Sequence, residues 1–298
     1  MQGRFDPVGL EERDAFYELW ARTPVRSLDY TLPNLWGWQE GYGLEWSFAG
    51  DLCLVRQTVP TVCYWAPVGD WEGADWASVL SGMPHAASTP FMRIPEGLLR
   101  IWQGQLGDRV SACEDRGQWE YLYGQKDLAT LPGNRFHKKR NHLNAYVKAY
   151  GDPDYRILDE TMVEDVLAVQ DLWCQWHECE NSPSLIAENE AMNRVLAHLD
   201  CFRDLVGGSL YIEGRMVAFS IGERLDPANI GVHYEKGLSG YKGVYQTMNA
   251  LFARNAGAGY AYVNRAQDLD EEGLRQAKMT YLPADFLRKY RVSVAFGD

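Results

Sequence analysis

Nine of the eleven tryptophans lie before residue 120, and only Trp173 and Trp176 follow. Indole rings fill cores, so this step predicts two halves with differently built cores. The length of 298 residues fits one large domain or two of about 150 residues. We expect a Trp-rich unit over 1–130 and a second unit over 131–298, divided at the turn Leu131-Pro132-Gly133-Asn134. In the first half, Phe16, Leu19 and Trp20 share one face of a helix over Glu11–Ala21. Short strands follow at Leu44–Phe48, Leu52–Gln57 and Val62–Trp65. Helices over Ala74–Leu80 and Glu96–Gln105 then alternate with strands at Phe91–Ile94, Val110–Cys113 and Trp119–Tyr123.

The second half alternates in the same way. Asn134 is expected to cap a helix from Arg135 to Tyr150. Strand Tyr155–Leu158 precedes helices Met162–Cys179 and Leu185–Leu199. A hairpin pairs Ser209–Ile212 with Met216–Glu223 around the turn Glu213-Gly214-Arg215. Strand Ile230–Lys236, helix Val244–Asn255, strand Tyr260–Asn264, helix Glu271–Thr280 and strand Tyr290–Ala295 complete the series. Strands alternating with helices imply a mixed α/β fold.

The chain is 46% hydrophobic and 23% charged, which excludes a disordered polymer. Its formal net charge of −12 excludes a wholesale nucleic-acid coat, so a polyanion must bind at a local basic island. No stretch approaches the roughly 20 apolar residues of a membrane span. The opening segment lacks the apolar core of a signal peptide, and we expect a cytoplasmic protein. Peripheral membrane contact stays open. The six cysteines show no CxxC pair and read as reduced thiols. Cys174, His177 and Cys179, with His198 or Cys201, form one cluster of closely spaced ligands. Structural zinc sites pair such clusters twice over, so no metal is expected.

Three segments carry chemistry. Arg135, Lys138, Lys139, Arg140 and Lys148 concentrate five cations within 14 residues that include no acid. On a helix, His137, Asn141, Asn144 and Lys148 form a polar stripe, and Phe136, Leu143, Val147 and Tyr150 an apolar one. Arg140 falls on the apolar stripe and requires a carboxylate or carbonyl partner. The segment is either a solvated basic face or a phosphate-binding surface; His137, Lys138, Lys139, Arg140 and Asn141 are its candidate residues. In the second segment, strand NIGVHYEK meets the glycine loop Gly237–Gly243 and a helix. Gly240, Lys242 and Gly243 are candidates to hold a phosphate at that helix start. It is neither a Walker loop nor a dinucleotide fingerprint. Alternation along the strand puts Gly231, His233 and Glu235 on one face and Val232, Tyr234 and Lys236 on the other, so His233 and Glu235 are expected to meet one substrate together. In the third segment, Asn264, Arg265 and Asp268 stand at a strand exit, where open α/β sheets gather ligands, and Lys278 and Tyr281 follow.

Together the blocks LPGNRFHKKRNHLNAYVKAYG, GRMVAFSIGERL, VHYEKGLSGYKGVYQTMNALFAR and YVNRAQDLDEEGLRQAKMTYLP resemble one bacterial family. It is the C-terminal catalytic domain of phosphatidylglycerol lysyltransferases (lysylphosphatidylglycerol synthases) and its stand-alone relatives. The resemblance covers Trp119 to Tyr290 and implies two tandem GNAT-like units, acyl-CoA N-acyltransferase in type, the first degenerate. It also implies transfer of an aminoacyl group from its tRNA ester, while the family's multi-helix membrane portion is absent from this sequence. We therefore expect an acyl or aminoacyl transferase with a small soluble or lipid acceptor and no permanently bound cofactor. The donor would be aminoacyl-tRNA, engaged through the 135–148 helix, or acyl-CoA; a non-catalytic ligand- or RNA-binding protein is the competing reading. By chemistry and strand geometry, His233 or Glu235 is the candidate base. Asn264, Arg265 or backbone amides of the glycine loop would stabilise the oxyanion, and Asp268, Lys278 and Tyr281 are further pocket candidates.

Overall fold

A computed structural model describes residues 4–296. In chain order the first part forms β1 (Asp6–Pro7), α1 (Arg13–Trp20), α2 (Leu32–Gly37), α3 (Gln39–Tyr42), β2 (Glu45–Ala49), β3 (Leu52–Gln57), β4 (Cys63–Tyr64), β5 (Val68–Gly69), α4 (Trp76–Ser81), β6 (Phe91–Pro95), α5 (Glu96–Leu106) and β7 (Val110–Glu114). The chain continues through β8 (Glu120–Gly124), α6 (Gln125–Thr130), α7 (His137–Tyr150), β9 (Asp154–Ile157), α8 (Val163–Trp176), α9 (Pro183–Leu196), β10 (Leu205–Ile212), β11 (Arg215–Arg224), β12 (Asn229–Gly237) and α10 (Val244–Arg254). It ends with β13 (Tyr262–Asn264), α11 (Glu272–Met279), β14 (Asp285–Leu287) and β15 (Lys289–Val294).

The chain divides into two compact units, each with its own mixed sheet. The first sheet runs β1-β2-β3-β4-β6-β15-β7, with β5 beside β3; the second runs β14-β8-β13-β12-β11-β10-β9. Both share one pattern among the described residues. A run of antiparallel neighbours meets a parallel step, β4 with β6 in one sheet and β12 with β13 in the other. A parallel step needs a crossover connection, supplied by the segment holding α4 and by α10. Two tandem units of mixed sheet and helices are the α/β architecture expected from the sequence.

The expected division at 130/131 needs correction. The first unit takes the chain up to Glu120, Gln267–Glu271 and the chain from Leu287 onward; the second takes Tyr121–Ala266 and Glu272–Phe286. Strand β15, from the far end of the chain, lies beside β6, and β8 lies beside β13. Local pattern cannot predict such exchange, because strand pairing is non-local. Burial accounts for it: Tyr121 and Tyr123 are fully buried in the second unit's core. In the first unit Lys289 is fully buried on β15, with its ammonium held by Asp29 and by Glu120 at 2.7 Å. Arg93 reaches the same Asp29 at 2.7 Å and lies 4.1 Å above the Trp65 ring.

The second sheet carries a core on each face. On one, Phe136 of the turn before α7 joins Leu128, Tyr146, Met248 and Phe252 from α6, α7 and α10 against Val217, Ile230 and Val232. On the other, α8 and α9 contribute Val166, Val169 and Met192 against Phe219, Ile221 and Tyr234. Ser182 caps α9 through Leu185 N, with Pro183 in its first turn. The hairpin forms as read: Ile212 pairs Arg215 around Glu213 and Gly214, both at positive φ, as such turns require. The helices α2, α3 and α6 and the strands β1, β5 and β14 went unread. Asn134 is no cap either; it opens a short 3₁₀ turn, and its carbonyl meets His137 Nδ1 at 2.9 Å. Nor are all six cysteines thiols. Residue Glu178, at positive φ, folds the chain back after α8, and Cys174 and Cys179 form a disulfide with Cα atoms 4.9 Å apart. Among the described residues no helix is long and apolar enough to cross a membrane.

Candidate active site

The second unit's parallel step is short. β12 pairs β13 at Asn229–Tyr262, Ile230–Val263 and Gly231–Asn264, and there the pairing stops. β12 runs on to Gly237, so from Val232 the strands part in a fork. On its other side β12 carries a bulge: Val232 pairs Gly222 and Tyr234 pairs Ile221, leaving His233 without an opposite residue.

The bulge separates two residues that strict alternation would put together. Beyond it, Tyr234 belongs to the α8–α9 core, whereas Val232 belongs to the α10 core. His233 turns its Nε2 to Glu223 at 2.9 Å, and both side chains are buried. Glu223 alternates along β11 with Phe219 and Ile221, which face α8. Glu235 lies on the opposite face, its Oε1 2.8 Å from Arg265. There Asn249, on α10, accepts from Arg265 Nη1 at 2.8 Å and Nε at 3.1 Å. Burial would lower the Arg265 value, but the Glu235 carboxylate outweighs it and holds the guanidinium firmly charged. Glu235 Oε2 is buried without a protein partner.

Several predicted residues gather at this face of the fork. Arg265 lies 5.4 Å above the Tyr281 ring and Lys139 3.9 Å above it. Burial, then Arg265, lowers the Lys139 ammonium. Burial pushes the Tyr281 hydroxyl up to about 12, with Glu235 adding to it. Lys278 bonds the Arg265 carbonyl at 2.6 Å, which fixes the strand exit. Asn264 turns its side chain back to Ala266 N at 3.0 Å and is buried. Asp268 does not join them; it belongs to the first unit, where it accepts from Arg116 at 3.1 Å.

Helix α7 carries its two stripes as read. Phe136, Leu143, Val147 and Tyr150 enter the core, while His137, Lys138, Asn141, Asn144 and Lys148 are exposed. Arg140 finds the carbonyl partners its position demanded, Leu131 O and, at 2.5 Å, Gly133 O. The glycine loop meets this helix. Gly243 sits at φ +72°, and a Cβ there would come within 2.1 Å of the His142 carbonyl oxygen of α7. Lys242 donates its backbone N–H to the Tyr150 hydroxyl at 3.0 Å. One group of the expected phosphate cradle, the Lys242 N–H, thus bonds α7, and Gly243 packs against the same helix. Gly240, at φ +93°, stays open.

The sequence reading missed a second cluster, on the α8–α9 side. The buried Lys236 ammonium bonds Glu188 at 2.6 Å and lies 3.8 Å from the Trp173 ring, whose Nε1 donates to Tyr245 Oη at 2.7 Å. A charge count would have pointed there. Between residues 157 and 193 the chain has nine acids and neither Lys nor Arg. The second unit therefore presents basic α7 on one face of its sheet and acidic α8–α9 on the other.

In fold this is a protein of two tandem mixed α/β units, the second with a charged fork in its sheet. The sequence matches the family described as phosphatidylglycerol lysyltransferase, C-terminal, over residues 20–293, and the chain belongs to that family. A conserved protein of unknown function from Bacteroides thetaiotaomicron is 28% identical and superposes with a TM-score of 0.89 over 98% of this chain and 99% of that one. The C-terminal domain of a putative lysylphosphatidylglycerol synthetase from Agrobacterium fabrum is 13% identical, with a TM-score of 0.65 over 96% of this chain and 92% of that one; the likeness is one of fold. An uncharacterized protein of Mycoplasmoides gallisepticum is 27% identical over 175 residues, or 58% of this chain. The chain spans about half the length of that curated relative, 56%.

Proposed function

We propose that this acyltransferase moves an aminoacyl group from aminoacyl-tRNA to an amine-bearing acceptor. The carrying observation is the junction of α7 with the glycine loop. An acyl-CoA donor would lay its diphosphate on the loop amides at the start of α10. Here Gly243 abuts the His142 carbonyl and the Lys242 N–H is taken by Tyr150, which argues against that donor. The same helix turns Lys138 and Lys148 to solvent and Lys139 toward Tyr281 and Arg265. A polyanion on α7 would thus have its end led into the fork. Arg265, held charged by Glu235, is the group best suited to stabilise the oxyanion that forms at the ester carbonyl.

The acceptor class follows from the opposite face. Nine acids in a stretch that itself holds neither Lys nor Arg, with Glu188 answered by Lys236 from β12, repel an anionic lipid surface and favour a cationic, amine-bearing molecule. In the reaction the acceptor nitrogen attacks the ester carbonyl while a base at the fork takes its proton.

Binding tests the donor. Affinity for charged tRNA should fall steeply with salt, with a slope of about −0.7 to −0.9 in log K per phosphate neutralised. Acetyl-CoA should leave the thermal midpoint unchanged. Saturable acetyl-CoA binding without tRNA binding would replace this reading with an acyl-CoA N-acyltransferase.

A further inference from the structure

We propose that Glu223 is the positioning residue of a His233–Glu223 pair, holding the ring so that Nδ1 takes the proton from the acceptor amine. The inference rests on the acyl-transfer reading and extends it to a residue the sequence did not single out.

The pair is built by the backbone. A Cβ on Gly222 would lie 2.1 Å from the Gly231 carbonyl oxygen, so only glycine lets β11 and β12 close at this point. Gly222 faces Val232 and Ile221 faces Tyr234, so the surplus residue is His233. Pairing with β13 ends at Gly231, and His233 therefore stands where the fork opens. Its Nε2 lies 2.9 Å from Glu223 Oε2, with the two side chains 5% and 1% exposed. A carboxylate only accepts, so the neutral ring must carry its proton on Nε2, and its lone pair is left on Nδ1. No described residue bonds Nδ1.

The step balances. The acceptor nitrogen forms a bond to the ester carbonyl carbon and its proton passes to Nδ1. The bond from that carbon to the ribose oxygen then breaks, and the oxygen takes the proton back from Nδ1. Amide and free ribose hydroxyl result, and the imidazole is neutral again. Glu223 remains a carboxylate throughout, facing the imidazolium while it exists.

Two measurements on the full chain decide the matter. Nitrogen-15 NMR of histidine-labelled protein should find the His233 proton on Nε2. A proton on Nδ1 in the neutral ring would overturn the proposal, whether or not the protein turns over. With charged tRNA and an amine acceptor, Glu223→Gln should lower kcat about 10²-fold with little change in KM. Glu223→Asp should recover part of that loss, and free imidazole should restore His233→Gly. A Glu223→Gln enzyme within twofold of wild-type kcat, with wild-type melting and tRNA binding, would also overturn it. Absence of transfer by the wild type would instead remove the aminoacyl reading, and the NMR result would still decide the pair.

Discussion

Arg265 shows how one side chain can be both structural and chemical. Glu235 and Asn249 occupy its guanidinium from two elements, and Tyr281 lies beneath it. Lysine keeps the charge but loses the planar fork of donors. Arg265→Lys should therefore cut acyl transfer by about 10²-fold while the melting temperature falls only slightly; full activity would remove Arg265 from the oxyanion role. Asp29 carries a different prediction. Burial acts to raise its carboxyl, but Lys289 and Arg93 outweigh burial and hold it below the ordinary 3.8. Stability from a depressed carboxyl is complete above the unfolded value and is lost as pH falls through the folded one. Acid titration should therefore narrow the stability gap between wild type and Asp29→Asn below about pH 4. A gap that stays constant into strong acid would contradict this.

Helix α7 is the element on which the donor assignment turns. Its two faces and the need for a partner at Arg140 were legible, because helical spacing is local and a cation among apolar neighbours must be answered. The β10–β11 hairpin was legible for a similar reason, since Glu213-Gly214 encodes its own turn. The bulge at His233 was not, because it arises from a count of residues on two strands and from a close approach at Gly222. Glu223 was missed with it; an acid at a strand end looks solvated until its opposite number is known. The Gly243 junction gives a test at this scale. Gly243→Ala adds a Cβ at positive φ against the His142 carbonyl and should destabilise by about 1–2 kcal/mol or more. It should also weaken tRNA binding by misplacing α7. Reversing Lys138 and Lys148 to Glu should lower tRNA affinity at least tenfold at low salt without changing the melting temperature, as filter binding would show. Unchanged affinity would leave α7 a merely solvated basic face.

The whole chain repeats one architecture and uses the copies differently. In the first unit the position beside the parallel step is filled by Arg93 over Trp65, tied to Asp29 and through it to Lys289. In the second, the corresponding fork has Glu235 and Arg265 on the basic helix face of the sheet and His233 on the acidic one. The tryptophan step announced two cores, but the exchange of β8 and β15 between halves of the chain lay beyond reach, because pairing over such sequence distance leaves no local pattern. The most direct test offers the full-length protein tRNA charged with a labelled amino acid and, separately, acetyl-CoA, each with the same panel of primary amines. Label should appear in an amide product from the tRNA donor only, with transfer suppressed as salt rises. Acetyl transfer from CoA, with the tRNA ester left intact, would contradict this.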